Sequence, residues 1–206
     1  GKIMSEQAHS VTGIDSRKLL MWIFLASDCL FFGALISTYM IFKGNIPNPP
    51  YPTDRIVNGE FYHGLLNIPL TSASTFVLLM SSVAMVLAVY GAQNNNLKMM
   101  KGWLLSTIGL GIFFLLFQVY EFRHFLHEGL GMSTNQFGAS FYLMTGFHGV
   151  HVGIGVIILI SLLFGSFRRN SLGPDTGFHI ETAGLYWHFV DIVWIVIFTL
   201  VYLMPY

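Results

Sequence analysis

One stretch constrains this chain more than any other. From Phe137 to Phe167, 31 consecutive residues include no Asp, Glu, Lys or Arg. At 1.5 Å of rise per residue, about 20 apolar residues cross the ~30 Å hydrocarbon core of a bilayer. Four other segments meet that requirement, and the expected spans are 19–42, 70–92, 102–124, 139–166 and 184–204. Lipid offers backbone amides no water, so only helices and closed barrels can span it. Long apolar runs without the alternation of barrel strands select helices. The expected fold is all-α: a polytopic membrane protein, a bundle of five transmembrane helices forming a single membrane domain over 1–206.

Charge supports the class. Only 10% of residues are charged, against about 25% in soluble domains, too few to solvate a globular surface of this size. Lys+Arg equals Asp+Glu, so no basic excess points to nucleic acid. The one cysteine, Cys29, excludes an internal disulfide and a cysteine-rich metal site, and is read as a small packing residue.

The connections read as solvated loops. Segment 45–69 holds five prolines, 93–101 is a short polar turn, and 168–181 carries Gly and Pro breakers. Lys2, Arg17, Lys18, Lys98, Lys101, Arg168 and Arg169 fall on one side, against Lys43, Arg55 and Arg123 on the other. The excess places the N-terminus in the cytoplasm and the C-terminus outside. Gly146, Gly149 and Gly153 mark a face for close helix approach, and Ser72, Ser74, Ser81 and Ser82 give the second helix hydrogen-bonding capacity. Tyr39, Trp103, Tyr120 and Tyr202 lie near span ends, where interfacial rings are expected.

Ionisable residues at membrane depth are functional candidates by default. Asp28 lies ten residues past Lys18, about 15 Å deep, where a carboxyl needs a partner or a proton. It could handle protons, contact a polar lipid group, or donate one interhelical hydrogen bond. Asp191 and His188, His148 and His151, and Glu121 and His124 are each spaced i, i+3. Glu-x-x-His is a di-iron signature, but it requires two copies plus further glutamates, and the chain has one copy. The reading favoured here is a polar network of Glu121, His124, His148, His151, His188 and Asp191, each cross-bundle bond contributing roughly 0.6–2 kcal/mol, with no metal and no catalytic residue.

The segments GFHGVHVGIG (146–155) and ETAGLYWHFVDIVWIVIFTLVYL (181–203), with QVYEFRHF, FGASFYLMTGFHG and SDCLFFGALISTYMIF in the same order upstream, resemble subunit III of haem–copper respiratory terminal oxidases in its five-helix bacterial form. The resemblance implies a non-catalytic subunit of an oxygen-reducing, proton-translocating oxidase, fed by cytochrome c or quinol, in a bacterial plasma membrane. It implies packing against subunit I and other oxidase subunits. It also implies no cofactor bound by this chain, haem and copper in the partner subunits, and phospholipid as a candidate ligand. The family is associated with sustained proton uptake and with stability during turnover. Asp28 takes the position of its intramembrane carboxylate, as Asp where longer members have Glu. Those members carry two further helices ahead of this region that wall a lipid cleft, so a cleft here would need another subunit. Two alternatives remain: a subunit-III-like accessory protein of a nitric oxide reductase, and an autonomous membrane di-iron or haem enzyme using Glu121, His124, His148 and His151.

Overall fold

The computed structural model describes residues 16–43, 46, 54–64, 67–129, 133, 136–168 and 174–204. Five helices are long and apolar enough to cross a membrane. They are α1 (Ser16–Lys43), α2 (Ile68–Gln93), α3 (Leu97–His127), α4 (Gln136–Arg168) and α5 (Pro174–Phe198), the last running into a π-helical turn, Thr199–Leu203. The all-α class and the five spans agree with the sequence reading.

The helices outrun the apolar segments because helix ends are set by caps. Residues 168–181, read as a loop, are helical from Pro174, whose fixed φ suits a first helical position, with Asp175 in the first turn. The turn at 93–101 shrinks to 94–96. Asn95 takes φ 54°, and the Asn96 side chain caps α3 by accepting from the Met99 amide at 3.2 Å. The return is tight: a Cβ on Gly91 would meet the Met100 nitrogen at 2.8 Å.

Part of the first connection is a hairpin that the loop reading missed. Strands β1 (Arg55–Val57) and β2 (Glu60–Tyr62) pair antiparallel around Asn58 and Gly59, at φ 54° and 86°. Two positive φ values make a type I′ turn, for which Asn-Gly is the preferred pair. Pro69, counted with the loop, belongs to the first turn of α2. Pro47, Pro49, Pro50 and Pro52 lie outside the described residues, as do Lys2 and Arg169 of the charge count.

Helices α2, α3, α4 and α5 close a four-membered ring, and α1 leans on it against α4 and α5. Of the most apolar part of α1 only 11% is buried, against 50% in the α5 span. The buried seam of α1 is narrow, with Leu25, Phe32 and Tyr39 spaced by sevens. Leu20, Leu30 and Ile41 face away from the ring. Cys29 is exposed on α1 rather than packed within the chain. Basic residues fasten α1 to α5 at both ends. Lys18 Nζ reaches Glu181 at 2.8 Å and Arg17 reaches Asp175 at 3.7 Å. At the far end the buried Lys43 donates to the carbonyls of Leu200 (2.8 Å) and Met204 (2.6 Å), groups a helix terminus leaves without internal partners.

The ring is keyed by tryptophans of α5. Trp187 is fully buried between Gly111 of α3 and Gly155 of α4, where added Cβ atoms would meet its ring at 2.6 and 3.1 Å. Its indole N–H donates to Ser81 Oγ at 3.0 Å, and that of Trp194 donates to Thr75 Oγ1 at 2.9 Å. The tight glycines include Gly91, Gly111, Gly149 and Gly155. Of the expected Gly146, Gly149, Gly153 set, only Gly149 meets a neighbour, the Gln118 side chain. Tyr39 and Tyr202 are buried within the bundle rather than at its surface, whereas Trp103 and Tyr120 are exposed.

Candidate functional site

The intramembrane polar residues form four separate contacts, not one network. Asp28 on α1 places Oδ2 3.4 Å from Nε2 of His151 on α4, with the side chains 15% and 14% exposed. His151 Nδ1 lies 2.7 Å from the Phe147 carbonyl oxygen. A carbonyl can only accept, so Nδ1 carries a proton. The Nε2–Oδ2 approach is a close contact and not a hydrogen bond, since buried Oδ2 has no hydrogen-bond partner among the described residues. Phe32 covers the imidazole edge-on at 4.9 Å. Tyr186 Oη, from α5, donates to the His151 carbonyl at 2.9 Å.

His148, one turn away, does something different. It is fully buried, and its Nε2–H donates to the Val190 carbonyl of α5 at 3.1 Å. Nδ1 has no hydrogen-bond partner among the described residues. The rings of Trp194, Phe114 and Phe32 surround it at centroid distances of 5.0, 6.0 and 6.4 Å. This imidazole stitches α4 to α5.

The third contact joins α2, α3 and the π-helical turn. Buried Glu121 Oε1 accepts from Thr71 Oγ1 at 2.5 Å and from Tyr202 Oη at 3.2 Å. His124 does not join it. It is 46% exposed at the end of α3, 3.9 Å from Glu128. The fourth contact is Ser82 Oγ of α2, 2.6 Å from His188 Nδ1 of α5. Asp191, one turn further, is 3% exposed, and neither carboxyl oxygen has a hydrogen-bond partner among the described residues.

Glu121 and His124 thus diverge, and His148 and His151 turn to different helices. Among the described residues no group of three His, Cys, Asp or Glu side chains is arranged to hold a metal ion. What the geometry can do is share protons and bond helices laterally. Sequence reasoning missed Thr71, Tyr186, Tyr202 and Gln118, whose Nε2 donates to the Thr145 carbonyl at 2.9 Å. Their signal was present only as polar or aromatic side chains within spans, without a direction.

The Cytochrome c oxidase subunit III family model matches residues 3–206. The chain is 34% identical to a probable quinol oxidase subunit 3 of Staphylococcus saprophyticus, over 96% of each chain. It is 36% identical to a cytochrome c oxidase subunit 3 of Alkalihalophilus pseudofirmus and to a quinol oxidase subunit 3 of Bacillus subtilis, each over 89% of this chain and 84% of the relative.

Proposed function

The chain belongs to the cytochrome c oxidase subunit III family, a multi-pass membrane subunit of haem–copper oxidase complexes, and from that premise we propose that it is a non-catalytic subunit that supports proton uptake and stability during turnover. It packs against subunit I, and haem and copper reside in partner subunits. The narrow buried seam of α1 leaves a long apolar face open to lipid and to a neighbouring subunit. The bacterial relatives favour a bacterial plasma membrane, and the basic residues at one set of helix ends favour a cytoplasmic N-terminus.

The observation that carries the proton role is the Asp28–His151 pair, two titratable groups 3.4 Å apart inside adjacent spans. Within such a pair a proton can move from one member to the other with no change of net charge at membrane depth, and exchange with a partner surface adds or removes one unit charge there. Asp28→Asn keeps the shape and removes the titratable acid. In the assembled complex it is expected to lower proton-coupled turnover modestly and to shorten the time over which turnover is sustained. Complete loss of oxygen reduction in a fully assembled variant would show that the pair lies on an obligatory route, and the supporting role would be wrong. The partners that co-purify with the chain test the subunit I contact and reveal the electron donor, since the relatives carry both quinol and cytochrome c oxidase names.

A further inference from the structure

A second proton-handling group lies away from the α1–α4 contact. Asp191 is 3% exposed, with both carboxyl oxygens unpartnered among the described residues. An ionised carboxylate in such surroundings would need a cation or several donors, so the acid carries its proton. Ser82 of α2 meets α5 one turn from Asp191, at His188, and no hydrogen bond joins it to the acid in this conformation. The Ser82 hydroxyl is 2.6 Å from His188 Nδ1. Rotation about the Ser82 side-chain torsion is the motion that a link from His188 to Asp191 requires.

His188 is half-buried and lines a groove of about 270 Å³ between α2 and α5, together with Tyr90, Gln93 and Glu181. That volume exceeds the ~30 Å³ that a water molecule occupies in the liquid. Glu181 is seven residues from His188, roughly 10 Å along the helix, and Asp191 is one turn deeper. Of the other ionisable groups on α1, α4 and α5, Lys18 pairs with Glu181, Arg17 with Asp175, and Asp28 faces His151. Lys43 bonds the Leu200 and Met204 carbonyls, His148 bonds the Val190 carbonyl, and Arg168 and His179 lie toward helix ends.

We infer that Asp191, Ser82 and His188 form a proton-exchange relay in which Asp191 stores a proton that equilibrates with the end of the bundle where α2 stops and α5 begins. In one transfer the Asp191 O–H proton passes to Ser82 Oγ while the Ser82 hydroxyl proton passes to His188 Nδ1. The products are a carboxylate, an unchanged serine and an imidazolium. The imidazolium releases its Nε2 proton into the groove, and the reverse sequence refills the acid. No electrons move, and one proton enters for each that leaves. The relay shares no residue with Asp28 and His151, so it stands or falls independently of the role proposed for them.

The test is infrared spectroscopy of the intact complex transferred from H₂O to D₂O. Wild type is expected to show a protonated-carboxyl C=O band that shifts down in D₂O and is absent in Asp191→Asn. If that variant does not assemble, Asp191→Glu, which keeps the acid and displaces the band, makes the same assignment. Ser82→Ala should keep the band and slow its deuterium shift about tenfold or more, the factor set by losing one typical hydrogen-bonded step. Ser82→Thr, which retains the hydroxyl, should restore the rate. Absence of an Asp191 band in wild type, or wild-type exchange in Ser82→Ala, overturns the relay.

Discussion

Replacing Gly111 by alanine tests the keying of the helix ring. The new Cβ would lie 2.6 Å from Cη2 of Trp187, 3.1 Å from its Cζ2 and 3.1 Å from Cγ2 of Val156. Real Cβ atoms do not approach that closely, so the indole must move, and it is held on its other side by Gly155 and through its N–H by Ser81. Overpacking of this kind costs roughly 1–3 kcal/mol. Losing the indole–Ser81 bond would add about 0.6–1.7 kcal/mol in a membrane setting. After the roughly 1 kcal/mol by which alanine is the better helix former, Gly111→Ala is expected to destabilise by about 1–4 kcal/mol net. Trp187→Phe alone should also destabilise, because it removes the donor and leaves a void. The atoms that clash with the new Cβ belong to the six-membered ring of the indole, which phenylalanine lacks. In the Trp187→Phe background the added methyl therefore fills space rather than colliding. The double variant should be less destabilised than the two singles combined, by at least about 1 kcal/mol. The measurement is equilibrium unfolding in a detergent or bicelle system, with Gly109→Ala as control, since no atom lies within 4 Å of a Cβ there. Additive effects, or a control as damaging as Gly111→Ala, would refute the seating of Trp187 as the reason for the glycine.

Lys43→Met removes both charge-assisted bonds to the Leu200 and Met204 carbonyls. It should cost about 1.5–3 kcal/mol, read as faster amide exchange confined to the π-helical turn. Glu121→Gln keeps an acceptor for Thr71 and Tyr202 and should stay within about 1 kcal/mol of wild type. Glu121→Leu strands the Tyr202 hydroxyl, while Thr71 keeps the Asn67 carbonyl as acceptor; it should cost about 1–3 kcal/mol, and equal thermal melts for the two would contradict the assignment. His148→Phe retains the aromatic surroundings and loses only the bond to Val190. A stability loss of about 1 kcal/mol is expected, whereas a several-fold larger loss would mean that the imidazole has a partner beyond that carbonyl.

Span number, helix type and family were legible in the sequence because each rests on properties that residues carry wherever they point. Apolar transfer free energy sums along a segment, and a 31-residue charge-free run crosses a bilayer whatever packs beside it. The hairpin was legible too, since Asn58-Gly59 is a turn signal in its own right, though the surrounding prolines drew the reading toward an irregular loop. Partners of the polar groups were not legible, because they depend on how each helix is rotated about its axis. Residues three apart are separated by about 60° around an α-helix. That angle sends His148 to α5 and His151 to α1, and it buries Glu121 while leaving His124 at the surface. Spacing said that these pairs share a side of a helix, and only the tertiary packing decided which neighbouring helix each member meets.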